Sequence, residues 1–389
     1  MTRTLDLREY ASIPFPHEAL TQEEAEILWR DHRKQVDIKY PSPRNGQQWQ
    51  LSSQGWVGSI PVTRELNLRL APKVEVGNLF RMLEFAYELK IRELPGLVDC
   101  GSLEDFFERL AHGLALRVLA RGQRGFYREY VAQQDRLPYL RGQLDLNRAL
   151  RAPWAVSLDC HFQEHTADIA DNQILAWTLS RIARSAACTR PEIAGAVGRA
   201  FRSLQGLTTP VPSTPSDCLG RLYNRLNDDY RPLHALCRFF LENTGPTHKP
   251  GDHQTLPILV NMNSLFEMFV AEWLKVRLPE HLKLSKQEKV PLGRGLSFEI
   301  DGVIYDRERP VLVFDTKYKA APSPTTADVS QVVAYAEVKG CRDAVLMYPV
   351  ELKTPFDARI GSIRVRTLAF RLDGDLEENG QRFLKELLG

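Results

Sequence analysis

The chain has 389 residues, which at about 150 residues per domain allows two or three domains. Hydrophobic residues make up 43% and charged residues 26%, a balance that excludes a disordered or collagen-like protein. Because 51 basic residues oppose 49 acidic ones, the net charge is only +2, and any contact with nucleic acid has to come from a local arrangement of charges.

The ends and the cysteines of the chain exclude further classes of protein. No apolar run reaches the roughly 18 residues that a membrane-spanning helix needs, and the charged N-terminus lacks the apolar segment of a secretory signal. We therefore expect a cytoplasmic protein with no membrane partner. None of the six cysteines forms a CxxC pair, which disfavours a zinc ribbon or a redox dithiol.

The N-terminal part predicts β-structure followed by a helix. Over residues 47–76, apolar and polar residues alternate, most clearly at Leu66, Leu68 and Leu70, as in half-buried strands. Pro72 ends this pattern or places it at the edge of a sheet. From Asn78, a plausible helix cap, apolar residues recur at helical spacing. The helical set is Leu79, Met82, Leu83 and Ala86.

The middle of the chain predicts helices. One begins after Ser102 and ends near Gly122, a helix or helical pair covers 168–206, and another helix covers 219–243. Four arginines of the first helix would share a face that is either solvated or in contact with a partner: Arg117, Arg121, Arg124 and Arg128. The loop Asn243–Asp252, rich in proline and glycine, is the best domain boundary.

A group of possible metal ligands in the middle region does not fit a standard site. The segment Cys160-His161-x-x-Glu164-His165 has no usual ligand spacing, and we predict a loop that enters a helix.

The segment 261–348 carries the chemistry. It opens with an amphipathic helix in which Glu267 lies just off the apolar stripe, although Ser264-x-x-Glu267 also fits a capping box. Two strands follow, with Asp301 on the first and with Asp315 and Lys317 on one face of the second. If the hairpin turns at Arg307–Glu308, the two aspartates lie about one strand spacing apart, ~5 Å.

These residue types suit metal-assisted phosphodiester hydrolysis. The carboxylates of Asp301 and Asp315 and the backbone carbonyl of Thr316 are hard oxygen ligands for Mg²⁺, with Mn²⁺ as a substitute. Lys317 on the same face can hold a water or stabilise charge on a phosphate. The alternative is an Asp–Lys ion pair on an exposed strand.

The order of elements around these residues resembles the PD-(D/E)xK nuclease core. A helix with Gln331 and Tyr335, which is similar to the QxxxY motif of the RecB-like branch, follows the second strand, and the strand 344–348 comes next. Ile300 stands where the motif's name has proline. The resemblance implies that Asp301 and Asp315 are metal ligands, that Lys317 directs the water or the phosphate, and that Glu267 is a further ligand or an orienting carboxylate.

Motifs outside this core resemble the McrC family, the nuclease subunits of McrBC-type restriction systems. They are Gly55-Trp56-Val57-Gly58-Ser59-Ile60, Leu140-Arg141-Gly142-Gln143-Leu144-Asp145, Asp168-x-x-Asp171-Asn172 and Leu226-Asn227-Asp228-Asp229-Tyr230. The chain has no GxxxxGK[ST] phosphate loop, so it does not hydrolyse nucleotide itself. The resemblance implies an McrB-like AAA+ NTPase hexamer as partner, whose hydrolysis the chain stimulates, and double-stranded DNA as substrate.

We therefore expect an α+β multidomain protein with three regions. Residues 1–150 would form a β-rich docking region that contacts the motor through an exposed edge at Arg64–Lys73, residues 151–250 a helical middle, and residues 251–389 an α/β PD-(D/E)xK domain with a mixed central sheet. The predicted function is a Mg²⁺-dependent DNA endonuclease. The alternatives are a non-catalytic adaptor of an AAA+ motor and a stand-alone RecB-like repair nuclease.

Overall fold

The computed structural model describes residues 3–63, 65–89, 102–152, 154–185, 190–245, 257–319 and 321–389. The strands in these residues are β1 (Arg3–Arg8), β2 (Ser12–Phe15), β3 (Val36–Lys39), β4 (Trp49–Ser53), β5 (Trp56–Pro61), β6 (Leu66–Ala71), β7 (Glu129–Leu137), β8 (Gln143–Leu144), β9 (Leu158–Thr166), β10 (Ile258–Asn261), β11 (Leu282–Gly293), β12 (Leu296–Asp306), β13 (Arg309–Thr316), β14 (Asp343–Tyr348), β15 (Asp357–Ile360) and β16 (Ile363–Ala369). The helices are α1 (Gln22–Asp31), α2 (Val76–Ala86), α3 (Leu103–Arg124), α4 (Leu146–Arg151), α5 (Ala170–Ile182), α6 (Pro191–Leu204), α7 (Tyr230–Asn243), α8 (Met262–Arg277), α9 (Thr326–Lys339) and α10 (Leu376–Leu388). Within the described ranges, no helix is long and apolar enough to cross a membrane. The mixture of several sheets with helices agrees with the predicted α+β class.

The chain folds into two compact units, whereas the sequence predicted three regions divided at residues 150 and 250. The first unit contains the described parts of 1–93, 98–106 and 245–389, and the second contains the described parts of 107–244. The reason is that β10 joins a sheet of N-terminal strands, where Ile258 pairs with Ser59. The boundary at Thr244 lies in the predicted loop 243–252, most of which lies outside the described residues.

Two N-terminal sheets of the first unit share one core. The four-stranded sheet has the order β1-β6-β5-β10, and the three-stranded sheet has the order β2-β4-β3. The predicted alternation is observed in β6, where Leu66, Leu68 and Leu70 are buried in the common core. However, β6 pairs with β1 on one side and with β5 on the other. The expectation of an exposed edge at 64–73 is therefore wrong for β6, and Arg64 lies outside the described residues.

Helix α2 begins earlier than the sequence indicates. The residue at its N-cap is Glu75, and Asn78 lies inside the helix. The side-chain amide of Asn78 donates instead to the carbonyl oxygens of Leu372 and Gly374, both at 3.0 Å. This tertiary contact explains why a polar residue, which the sequence suggested as a helix cap, lies inside α2.

The second unit contains a sheet as well as the expected helices. Strands β7, β9 and β8 form an antiparallel sheet in that order. The segment with Cys160, His161, Glu164 and His165 lies in β9, so the prediction of a loop is wrong. No group of three His, Cys, Asp or Glu residues suited to a metal ion occurs in the described part of the chain.

The helices of the middle region differ from the predictions mainly in their starting points. Ser102 caps α3 as predicted, because its Oγ accepts from the Asp105 N–H at 3.1 Å. Segment 168–206 is a helical pair, α5 and α6. Helix α7 begins at Tyr230 rather than at 219, because the Asn227 side chain closes a turn by accepting from the Asn224 N–H at 2.7 Å.

Arg121 and Arg124, two of the arginines predicted to share a face, bind the same aspartate within the second unit. Arg121 and Arg124 both bind Asp229, at 3.2 and 3.3 Å. The face is therefore not wholly solvated.

The C-terminal part of the first unit is built on a mixed six-stranded sheet with the order β11-β12-β13-β14-β16-β15. The pairs β13/β14 and β14/β16 are parallel, and the other pairs are antiparallel. The predicted order of helix, two strands, helix and strand is observed as α8, β12, β13, α9 and β14, with β11 added before β12. The hairpin turns at Arg307, whose φ of 56° allows the tight reversal.

Candidate active site

The hairpin of β12 and β13 brings Asp301 and Asp315 side by side. Gly302 pairs with Phe314 in the antiparallel hairpin, so Asp301, which precedes Gly302, lies opposite Asp315, which follows Phe314. Gly302 permits this close approach, since a Cβ atom there would overlap the Phe314 ring. Because β13 is an interior strand, Asp315 is only 2% exposed. The register agrees with the predicted pairing.

The carboxylate of Asp301 is held by Thr316. Its Oδ2 accepts from the backbone N–H and from the hydroxyl of Thr316, both at 2.7 Å. Burial raises the pKa of Asp301, and these two hydrogen bonds only partly offset the effect. Thr316 thus fixes the orientation of this carboxylate. The predicted ligand role of its carbonyl oxygen stays a prediction.

Asp315 and Lys317 form a close ion pair at the carboxyl end of β13. The Lys317 Nζ lies 2.6 Å from Oδ2 of Asp315. Burial, followed by repulsion from Asp301, raises the pKa of Asp315 to about 6, although Lys317 opposes the rise. Burial would lower the pKa of Lys317, but its interactions with Asp315, Asp328 and Asp301 outweigh burial and raise it. Lys317 therefore carries a proton, and its role in this state is that of a cation.

Helix α9 contributes the predicted Gln331 and Tyr335 to the same group. Lys317 donates to Oε1 of Gln331 at 3.0 Å, and Nε2 of Gln331 donates to the Tyr335 hydroxyl at 2.6 Å. The two helical residues lie one turn apart, as the spacing predicts. They connect α9 to Lys317 and restrain where its ammonium group points.

Glu267 approaches the aspartates from α8. The N-cap of α8 is Asn261, whose side chain accepts from the Ser264 N–H at 3.3 Å, so the capping-box alternative for Glu267 is wrong. Burial, followed by repulsion from Asp301 and Asp315, raises the pKa of Glu267 to about 7. Glu267 thus lies in the electrostatic field of both aspartates.

The acidic residues fit a magnesium site of the kind that is completed by water and substrate. Among the described residues, no three His, Cys, Asp or Glu side chains are grouped for a metal, so Glu267 does not form a three-carboxylate cage with Asp301 and Asp315. Proteins commonly hold Mg²⁺ with one or two carboxylates together with water and phosphate oxygens. Burial first, and repulsion between the carboxylates second, raise the pKa values of Glu267 and Asp315, and a bound cation would offset both effects.

The sequence analysis missed two residues that shape this group. Gln287 donates to Oε1 of Glu267 at 3.1 Å. It has a φ of 50° and lies between Lys286 and Glu288, which pair with Gly302 and Ile300, so Gln287 stands opposite Asp301, a position that no local pattern predicts. Asp328 binds Lys319 at 2.6 Å and acts electrostatically on Asp315. The capping pattern Thr325-x-x-Asp328 was a signal for its position at the start of α9, but not for its second role.

Comparison with known proteins supports the resemblance predicted from the sequence. The model of a family described as "McrBC 5-methylcytosine restriction system component" matches residues 51–349. The chain belongs to this McrBC family. The match begins far upstream of α8 and so includes β5 and β6 as well as the candidate site, which a stand-alone RecB-like nuclease would not explain. No curated protein matches the chain.

Two solved structures are similar to this McrBC family member. One is a half-complex from a tetradecameric assembly of Thermococcus gammatolerans McrB AAA+ hexamers with bound McrC, at 17% identity and a TM-score of 0.56, covering 99% of this chain and 100% of the matched chain. The other is the McrBC complex of the same organism, at 20% identity and a TM-score of 0.46, covering 71% and 88%. The first likeness supports a common fold over the whole length.

Proposed function

We propose that the chain is the nuclease subunit of an McrBC-type restriction system, a Mg²⁺-dependent endonuclease that cuts double-stranded DNA. The observation that carries the proposal is the buried group of Asp301, Asp315 and Lys317 at the end of two neighbouring strands, inside a chain of the McrBC family. The PD-(D/E)xK assignment of the six-stranded sheet belongs to this proposal. It is supported by the order of α8, β12, β13, α9 and β14.

Asp301 and Asp315 would hold the metal, with the Thr316 carbonyl as a third oxygen and Mn²⁺ as a substitute for Mg²⁺. When bound, the cation supplies positive charge that stabilises the phosphate as it gains negative charge. The chain's own residues supply the rest. Lys317 presents an ammonium group to the phosphate, Gln331 restrains that group, and Thr316 orients Asp301.

The proposed partner is an McrB-like AAA+ NTPase hexamer. This is supported by the family match and by the solved structure in which McrB hexamers carry bound McrC. Since β6 offers no free edge, we place the docking surface on the second unit. Large apolar side chains are exposed there around β7–β9 and α4, including Leu150 at 78% and Trp154 at 80%. Exposed apolar side chains of this size mark contact surfaces in soluble proteins.

Cleavage of plasmid DNA by the chain together with its AAA+ partner tests the nuclease assignment. Lys317→Ala removes the cation and should lower the cleavage rate about a hundredfold to a thousandfold. Lys317→Arg should also lose cleavage, because a planar guanidinium does not replace a compact ammonium group beside Asp315. Lys353→Ala is the control, because Lys353 is an exposed lysine of the same unit and should cut normally.

The alternative of a non-catalytic adaptor gives a different result in the same assay. Asp315→Ala should abolish cleavage and still stimulate the partner's nucleotide hydrolysis. Full cleavage by the Lys317→Ala protein would refute the proposed site. Absence of Mg²⁺-dependent cleavage by the unaltered chain, with stimulation of hydrolysis intact, would favour the adaptor.

A further inference from the structure

A cavity of about 260 Å³ lies in the first unit next to the candidate active site. Its walls come from the segments that follow five strands: Tyr10 after β1, Lys73 after β6, Tyr318 and Lys319 after β13, Val350 after β14, and Leu372 after β16. These strands include the parallel pairs β1/β6, β13/β14 and β14/β16. The carboxyl ends of parallel strands are where α/β folds bind ligands.

Two tyrosine rings form walls that are held in place. Tyr10 has a φ of 53°, which is unusual for a bulky residue, and its hydroxyl donates to Oδ1 of Asn263 at 3.1 Å. The Tyr318 hydroxyl donates to Oε2 of the buried Glu9 at 3.2 Å. The ring centroids lie 6.5 Å apart. Strained backbone that persists in a fold is common at binding sites, and here it orients an aromatic face.

The charged residues around the cavity suit a nucleotide, which combines an aromatic base with a phosphate. The Lys73 ammonium lies 5.4 Å from the Tyr10 ring centroid, and Lys319, which binds Asp328, also lines the cavity. Glu75 and Asp373 also line the cavity. Carboxylates repel phosphate but accept hydrogen bonds from the exocyclic amino groups of bases. Aromatic faces, lysines and carboxylates together match a nucleotide better than they match an apolar ligand.

The cavity adjoins the site proposed for cleavage along the chain. Its wall begins at Tyr318, the residue after Lys317, and the Lys319 N–H donates to the Lys317 carbonyl at 2.8 Å in a tight turn. Phosphates follow each other along a DNA strand at about 3.4 Å of axial rise. Because Lys319 is only two residues from Lys317, a strand with one phosphate at Lys317 would bring its neighbouring nucleotides close to this wall of the cavity.

We propose that this cavity binds one unstacked nucleotide of the DNA strand, beside the phosphate at Asp301, Asp315 and Lys317. The proposal rests on the proposed nuclease function and adds a base-binding subsite to it. The base lies against the tyrosine rings, and Lys73 and Lys319 face its phosphates. The cavity is walled by protein segments, so a nucleotide has to leave the base stack before it enters.

The test compares two tryptophan substitutions in the full-length chain. Val350→Trp fills the cavity from a position that is 41% exposed, and Val338→Trp adds the same side chain on α9 at a position that is 43% exposed and does not line the cavity. Fluorescence anisotropy measures the binding of short single-stranded oligonucleotides in EDTA, where no cleavage occurs. Val350→Trp should weaken binding by about tenfold to a hundredfold, the range of one base–aromatic stack. Val338→Trp should bind normally.

A series of oligonucleotides, each with one abasic position, identifies the nucleotide that enters. The unaltered chain should lose affinity at one position of the series, and Val350→Trp should show no such position. Equal binding by both tryptophan variants, no sensitive position, or no binding by the unaltered chain would overturn the proposal. Free GTP is a second probe. If GTP binding alone responds to Val350→Trp, the ligand is a free nucleotide and the DNA assignment is wrong.

The subsite and the nuclease function can fail separately. An Asp315→Ala chain should keep the abasic-site pattern, because the substitution leaves the cavity walls intact. If Asp315→Ala still cuts DNA, the proposed active site is wrong while the cavity result stands. If the pattern is absent and Asp315→Ala abolishes cleavage, the subsite alone is refuted.

Discussion

Replacement of Glu267 by glutamine should stabilise the folded chain at pH 8. The pKa of Glu267 in the folded chain is about 7, against an ordinary value of 4.5, because the carboxyl group is buried beside Asp301 and Asp315. Below pH 4.5 the group is protonated in both states and has no effect. Between pH 4.5 and 7 the folded state binds a proton that the unfolded state has lost, so stability falls as pH rises.

The size of the effect follows from that difference. A rise in the pKa of Glu267 from 4.5 to about 7 on folding lowers the unfolding free energy above pH 7 by roughly 3 kcal/mol. Glu267 is not fully buried, and solvent screening reduces this to about 1–3 kcal/mol. Glutamine keeps the shape and can still accept from Gln287. Glu267→Gln should therefore raise the unfolding free energy by about 1–3 kcal/mol at pH 8 and leave it unchanged at pH 4.

Glu272, also on α8, provides a control in which the substitution by glutamine should change the stability in the opposite direction. Burial would raise the pKa of Glu272, but its ion pairs with Lys286 and Lys275 outweigh burial and lower it. Its charge therefore stabilises the fold above the ordinary pKa, and the contribution is lost as pH falls through the lowered pKa. Glu272→Gln should destabilise the chain by about 1–3 kcal/mol at pH 8.

Urea denaturation in EDTA at several pH values measures the unfolding free energies. Added Mg²⁺ should stabilise the unaltered chain more than the Glu267→Gln chain, because the cation relieves the repulsion that glutamine has already removed. Equal stability of the two chains at pH 8, or a gain that does not vary between pH 4 and pH 8, would refute the raised pKa of Glu267 and the burial and repulsion that cause it.

Two further predictions concern the fold and the partner. Gly302→Ala should destabilise the chain by about 1–3 kcal/mol, because the new methyl group overlaps the Phe314 ring. The control is Gly77→Ala in α2, which meets open space and should be neutral or stabilising. Thermal unfolding compares the two variants, and equal melting temperatures would contradict the close approach of Gly302 to Phe314. Leu150→Glu and Trp154→Glu should lower the stimulation of the partner's hydrolysis at least tenfold without a change in circular dichroism. Undiminished stimulation by both would exclude this surface as the docking site.

Local patterns in the sequence were sufficient to find the centre of the candidate site. Asp301, Asp315 and Lys317 stand out because charged residues interrupt buried strands, and the two-residue period fixes which of them share a face. The helical spacing of Gln331 and Tyr335 placed both on one side of α9. These features depend on neighbours along the chain, and they agree with the structure.

What the sequence did not reveal depends on distant parts of the chain. The contacts of Gln287 with Glu267 and of Asn78 with Leu372 arise only when separate elements meet, so no local pattern indicated Gln287, and Asn78 resembled a helix cap. The free edge expected at β6 disappeared for the same reason, because β1 occupies it. Domain boundaries placed at changes of composition could not detect β10, whose partner β5 is about 200 residues away.

The pairing of β5 with β10 also sets an order of events during synthesis on the ribosome. Ser59 leaves the ribosome about 200 residues before its partner Ile258, and all of the second unit is made in between. At a translation rate of about 5–20 residues per second, β5 remains without its partner β10 for roughly 10–40 s. The second unit has time to fold first, and the first unit completes its sheet only afterwards. An unpaired β5 is open to other strands during that interval, so slow translation of residues 107–244 should promote aggregation.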